Sequence, residues 1–271
     1  MKTILLHVQD DDSLDSRLQA ALALTRASGG HLSCLHVTPI EAYVAFDSFG
    51  GVFVMSDVLK ALDEHETDLQ GRIEGQLGKE DVSWDYQQQT GPIANTIVSH
   101  AALADVIVAG RDFHRQTRTI APVGLLGDLI FRSRTPLIVP TRSGAALDPS
   151  GPMLIAWDGG YEAANAVRGA IGLLKLATRV EIVRVEEKPE GLFPSTKLLE
   201  YLSRRGIHAE LRVETDDESF VADTLLARAS QLGATCLVMG GYGHSRIGEY
   251  IFGGVTRSLL KDSPITLCIA R

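Results

Sequence analysis

Residues 237–260, LVMGGYGHSRIGEYIFGGVTRSLL, bring together the residue types that hold a phosphate. The apolar run from Cys236 to Met239 leads into Gly240, Gly241 and Gly243; a polar segment follows, and a second glycine pair, Gly253 and Gly254, opens a stretch with helical apolar spacing. Glycines directly after a strand let the backbone approach a ligand closely, and a helix starting at Gly253 aims free N–H groups and its positive dipole end at that ligand. A dinucleotide fingerprint would instead need its glycines after the first strand and a further glycine at position 246, where Arg246 stands. Acyl transfer has less support. His244 and Ser245 are adjacent, a spacing that rarely gives nucleophile and base geometry, and no Gly-x-Ser-x-Gly pattern surrounds Ser245. No acidic pair stands at a spacing suited to a catalytic metal, and Cys34 with His36 on one strand face is two ligands without a cluster.

A glycine loop of this kind needs a sheet behind it. A first strand, Thr3–Val8, ends at the acidic run Asp10, Asp11, Asp12; a helix follows from Ser13 and is stopped by Gly29 and Gly30; a second strand over residues 31–37 closes at Pro39. A strand, helix, strand unit implies parallel pairing and a right-handed crossover. Residues 40–55 form an apolar, aromatic-bearing insert, suited equally to covering a ligand or docking a partner. A long helix over about 56–77, a strand near 82–88, a helix over about 92–104, a strand at 106–110, a helix near 124–132 and a strand at 137–140 complete the first half. Residues 141–151, rich in Ser, Gly and Pro, mark a boundary.

The pattern then starts again. Residues 153–157 read as a strand ending at Asp158, and Ala163, Ala166, Val167, Ala170, Ile171 and Leu174 fall on one helical face. Asp10 with Asp158 and Val37 with Val185 repeat at an offset of 148, Gly110 with Gly240 at 130, and Pro136 with Pro264 at 128. The shortening of the second copy matches loss of the insert. Repetition on this scale indicates a duplicated domain, 1–143 and 152–271, not a solenoid of short units. Each copy is α/β: five strands alternating with four helices, an open parallel sheet covered on both faces. Ligands of such sheets bind beyond the carboxyl ends of the strands, where strand order reverses.

The spacing Gly240, two residues, Gly243, nine residues, Gly253 resembles the nucleotide loop of the universal stress protein family. Gly254 departs from it, because the ATP binders of that family carry Ser or Thr there. The resemblance implies a strand order of 3-2-1-4-5 in each copy. It implies a pseudo-two-fold axis between them, imitating the dimer of single-domain members, with residues 137–140 and 265–269 near the contact. An acidic residue ending the first strand contacts the nucleoside in that family, and a Val ending the second meets adenine through its backbone; Asp158 and Val185 match. The phosphates then fall to the amides around Gly243, Gly253, Gly254 and Val255, with Gly240, Ser245, Arg246 and Thr256 completing the set. Taken at face value, Asp158 is a helix N-cap and Arg246 and Arg257 are solvated surface charges. The first copy lacks the loop: Phe113 replaces a glycine and Gly124 and Gly127 fall at other spacings, so this half is expected to be structural or regulatory.

The implied function is a stress-response regulator that binds ATP, ADP or AMP, with or without Mg2+, in the second copy, and is more a binding protein than an enzyme. Slow ATP hydrolysis and a partner-binding scaffold that uses the 40–55 insert stay open as alternatives, as does a further homodimer. Composition agrees with a small ligand. The net charge of −8 and pI near 5.5 offer no basic excess to displace counterions from nucleic acid. No apolar run is long enough to span a membrane and the N-terminal apolar stretch is too short for a signal peptide, so a cytoplasmic protein without a membrane partner is expected. The three cysteines, Cys34, Cys236 and Cys268, lie in strand-like runs and are expected to pack in the core.

Overall fold

Strand β1 (Thr3–Val8) is buried along nearly its whole length, with Ile4, Leu6 and Val8 packed into one helical layer and Leu5 into the other. Such two-sided burial marks the centre of a parallel sheet covered on both faces. Helix α1 (Leu14–Ser28) turns its Leu14, Leu18, Ala21 and Leu22 onto that sheet and stops at Gly29, whose φ of 55° is left-handed. There the Gly29 amide donates to the Arg26 carbonyl and the Gly30 amide to that of Thr25, closing the helix end. The chain returns as β2 (His31–Pro39), in register with β1 from Thr3 opposite His31 to Val8 opposite His36.

The computed structural model describes residues 1–39, 52–111, 124–141, 146–186, 192–215, 220–241 and 254–271, with 52–59 described by their backbone alone. After β2 come α2 (Val52–Leu77), β3 (Ser83–Gly91), α3 (Ile93–His100), a single 3-10 turn (Ala101–Leu103), β4 (Val106–Val108), α4 (Leu125–Arg132) and β5 (Leu137–Val139). The second half contains β6 (Met153–Ala156), α5 (Tyr161–Gly169), α6 (Ile171–Leu174), β7 (Val180–Glu186), α7 (Ser195–Ser203), β8 (Ala209–Thr215), α8 (Val221–Leu232), β9 (Cys236–Gly240), α9 (Gly254–Asp262) and β10 (Thr266–Ala270).

Three local expectations change. The long helix begins at Val52, so residues 52–55 of the expected insert are helical and its remainder, 40–51, lies outside the described residues. The helix expected over 92–104 ends at His100 and tightens into the 3-10 turn, where Ala104 takes an extended backbone. The helix of the second copy breaks at Ala170 into α5 and α6: glycine supports helix poorly, and a Cβ on Gly169 would stand 2.7 Å from Cγ of Pro136.

The strand order is β3-β2-β1-β4-β5-β10-β9-β6-β7-β8. Each half therefore carries the 3-2-1-4-5 order, and every pairing within a half is parallel. The two sheets expected from the sequence are one. β5 and β10 pair antiparallel, with Leu137 opposite Ile269 and Val139 opposite Leu267, so the two edges that would expose unpaired backbone groups satisfy each other. These side chains are at most 1% exposed, and burying each stabilises the fold by about 1.5–3 kcal/mol. Arg111, also buried, crosses the seam and donates through Nη1 to the Ser263 carbonyl at 2.7 Å and through Nη2 to that of Ile265 at 3.3 Å.

Helices α1, α2, α5 and α7 cover one face of the sheet, and α3, α4, α8 and α9 the other. Cys34, Cys236 and Cys268 are buried free thiols, as core packing requires, and burial pushes all three above the ordinary thiol range. Among the described residues no helix is long and apolar enough to cross a membrane, and no group of three His, Cys, Asp or Glu side chains could hold a metal.

Candidate functional site

The antiparallel seam sends the carboxyl ends of the first-half strands and those of the second half to opposite edges of the sheet. At each of these edges strand order reverses, between β1 and β4 and between β6 and β9, which makes two candidate crevices. They differ in what fills them.

The second-half crevice is open, a cavity of about 280 Å³. β6 and the residues after it supply Ala156, Trp157 and Asp158 to its wall, β7 supplies Val183 and Val185, β9 supplies Met239 and Gly240, and α9 supplies Gly254, Val255 and Thr256. Residues far apart in the chain meet here because β6 and β9 pair in register, Ile155 opposite Val238. The first described turn of helix α9 borders this cavity and places Gly254, Val255 and Thr256 on its wall, the end of a helix that suits an anion.

Asp158 is exposed, and its Oδ1 accepts from the Gly160 amide at 2.8 Å. Gly160, not Asp158, occupies the N-cap of α5; the carboxylate braces the turn that precedes the helix, and Gly159 makes that turn possible with a φ of 74°. The next wall is set by close approach. A Cβ on Gly240 would lie 2.6 Å from the Ala163 amide nitrogen and 2.7 Å from the Glu162 carbonyl carbon, so the start of α5 rests directly on the end of β9. Gly240→Ala is accordingly expected to lower the unfolding free energy by about 1–3 kcal/mol, because backbone atoms cannot rotate away as a side chain could. An unchanged midpoint in urea unfolding would contradict this packing.

Gly254 is the opposite case: it is exposed, and among the described residues a Cβ there would meet nothing within 4 Å. Of the residues expected at the site, Asp158, Val185, Gly240, Gly254, Val255 and Thr256 come together, whereas Gly243, Ser245, Arg246 and Gly253 lie outside the described residues, as does the start of the helix expected at Gly253. Val183, Val221, Leu225, Met239 and Glu162 were not anticipated. Three of these had a readable signal. Val183 precedes Val185 by one strand period, and Val221 and Leu225 are one helical turn apart. Nothing in the sequence points Glu162 at the crevice.

Among the described residues of the first-half crevice, a side chain of α1 stands between the ends of β1 and β4. Leu14, Arg17, Leu18 and Ala21 on α1 repeat the buried spacing of Ala163, Ala166, Val167 and Ala170, so Arg17 stands where the second half has an alanine. Its guanidinium is 1% exposed. Nε donates to the His7 carbonyl at 3.2 Å, Nη2 to that of Gln9 at 2.7 Å and Nη1 to Asp11 Oδ1 at 2.8 Å. A Cβ on Gly110, at the mouth after β4, would collide with this group. Asp10, the counterpart of Asp158 in the sequence repeat, is taken up by Arg72 and lies 3.4 Å from His65, both on α2.

No protein-family model matches the chain, and neither does any curated protein sequence. Solved structures do. The chain is similar to a universal stress protein from Archaeoglobus fulgidus DSM 4304 over 99% of its own length and 98% of that chain, at 15% identity and a TM-score of 0.75. The fold is that of the universal stress proteins. A functionally unknown protein from Pseudomonas aeruginosa PAO1 is similar over 100% of this chain and 92% of that one, at 15% identity and a TM-score of 0.60. The chain is also similar to the cytoplasmic domain of a prokaryotic cation chloride cotransporter, over 99% of its own length and 94% of that chain, at 11% identity and a TM-score of 0.50.

Proposed function

We propose that the chain is a two-copy universal stress protein, divided into 1–143 and 152–271, whose second copy binds ATP or another adenine nucleotide as a regulatory ligand in the cytoplasm. Asp158 takes the ribose, the backbone at Val185 takes the base, and the amides of Gly254, Val255 and Thr256 take the phosphates. Gly240, Gly243, Ser245, Arg246 and Gly253 belong to the same proposed set. The carrying observation is the cavity lined by Asp158, Val185 and Gly254, where the matching end of the first half holds the buried Arg17 guanidinium. Asp158 and Glu162 both line the cavity, so phosphates accompanied by Mg2+ suit it better than bare phosphates.

Gly254 provides the test. The family's nucleotide binders carry a hydroxyl at this position, and among the described residues nothing stands within 4 Å of a Cβ on Gly254, so Gly254→Ser adds a donor there. ATP affinity measured by calorimetry is expected to rise about tenfold in Gly254→Ser, the worth of one hydrogen bond to a charged group, and to fall about tenfold in Asp158→Ala. ATP that binds neither the parent chain nor Gly254→Ser, together with no adenine nucleotide released on denaturation, would refute the proposal. A scaffold that binds no nucleotide is the second reading, favoured by the missing hydroxyl at Gly254.

A further inference from the structure

A second cavity, of about 190 Å³, lies between α5 and α7. Trp157, Phe193 and Tyr201 give it aromatic walls, and Val167 and Leu198 line it with aliphatic carbon. The aromatic walls are held in place. The Trp157 indole Nε1–H donates to the Phe193 carbonyl at 3.2 Å, the Phe193 amide donates to the Gly159 carbonyl at 3.0 Å, and the Tyr161 ring meets the Phe193 ring edge-on at 5.0 Å. An apolar cavity whose rings are already fixed loses little freedom when a ligand enters.

The same cavity is lined by two cations, Arg168 and Lys197. Arg205 stacks over the Tyr201 ring at 3.5 Å, and Arg204 precedes it. Glu200 opposes them, with Lys197 at 3.3 Å and Arg204 at 3.4 Å. A local excess of positive charge around an apolar cavity, in a chain of net charge −8, attracts a small anion with an apolar body. The volume suits one ring and is well short of a nucleotide.

We propose that this cavity binds a small monocarboxylate with an aromatic or branched aliphatic body, the body packed among Trp157, Phe193 and Tyr201 and the carboxylate set toward Arg168 and Lys197. The proposal does not depend on nucleotide binding. Because Trp157 also borders the crevice between β6 and β9, one tryptophan reports on both sites.

The experiment uses 3-phenylpropionate with the full chain carrying Trp84→Phe, which leaves Trp157 as the sole tryptophan. A saturable change in Trp157 emission is expected, with matching saturation transfer to the ligand in NMR. Ala164→Leu narrows the cavity and the double variant Arg168→Glu/Lys197→Glu reverses its charge without touching the core; each should weaken binding about tenfold or more with circular dichroism unchanged. The neutral amide of the same acid should bind about tenfold less tightly. Absence of saturable binding overturns the proposal, as does undiminished binding in both variants or equal affinity for the amide. Competitive displacement by ATP would also overturn it, since the acid would then occupy the crevice; failure of ATP to bind leaves it intact.

Discussion

Arg17→Ala is expected to lower the unfolding free energy by about 3–5 kcal/mol, because it leaves the part-buried Asp11 carboxylate and two backbone carbonyls without the buried cation that joins them. Arg17 reaches the His7 and Gln9 carbonyls and Asp11 from a position 1% exposed. Arg17→Met separates packing from charge. Methionine fills much of the same space without donating, so it should recover only the cavity part and remain about 2 kcal/mol or more below the parent. Urea unfolding at neutral pH measures both. Equal stability of the methionine variant and the parent would show that Arg17 acts by filling space alone.

Acid is expected to unfold the protein from a higher pH than its carboxylates require. His7 is buried, and loss of hydration, then the positive charge of Arg17, then the nearby His36 ring push its pKa from 6.5 down to about 3. A folded-state pKa below the unfolded one means that the unfolded chain binds a proton the folded chain excludes. Stability is therefore level above the unfolded value and falls as pH drops from about 6.5 toward 3, by up to about 1.4 kcal/mol per pH unit. The carboxylates work lower down: Glu181, held below the usual range by its hydrogen bond from Arg228, loses its contribution only once the pH falls through the carboxylate range. Between about pH 5 and 6.5 the slope thus belongs largely to His7. His7→Met should flatten it, as measured by urea midpoints across this window. Parallel profiles for parent and variant would mean that His7 is accessible to a proton in the folded state.

The repeat linking Val37 to Val185 was sufficient to reach a duplicated α/β unit, and the resemblance of the glycine spacing around Gly240 to the universal stress protein loop implied the 3-2-1-4-5 order that the structure has in both halves. Strand order came from that resemblance, since right-handed parallel connections by themselves still allow more than one order. The helix break at Ala170 was not legible, since Pro136, which presses on Gly169, comes from the other half of the chain. The difference between the two crevices was half legible. Phe113 and the displaced glycines argued against a phosphate loop there, but Arg17 reads in the sequence as one more charged residue on a helix.

The sequence by itself determined the periodicities: which runs form strands, which faces of the helices are apolar, and where the unit repeats. Only the tertiary structure decided that two sheets become one through β5 and β10, that Arg17 points into the first crevice, and that the second is open beside Asp158. The reason is range. Local spacing fixes the backbone of a segment, whereas an edge-to-edge pairing or a buried guanidinium depends on groups more than a hundred residues away or on a cavity that exists only once the helices have packed.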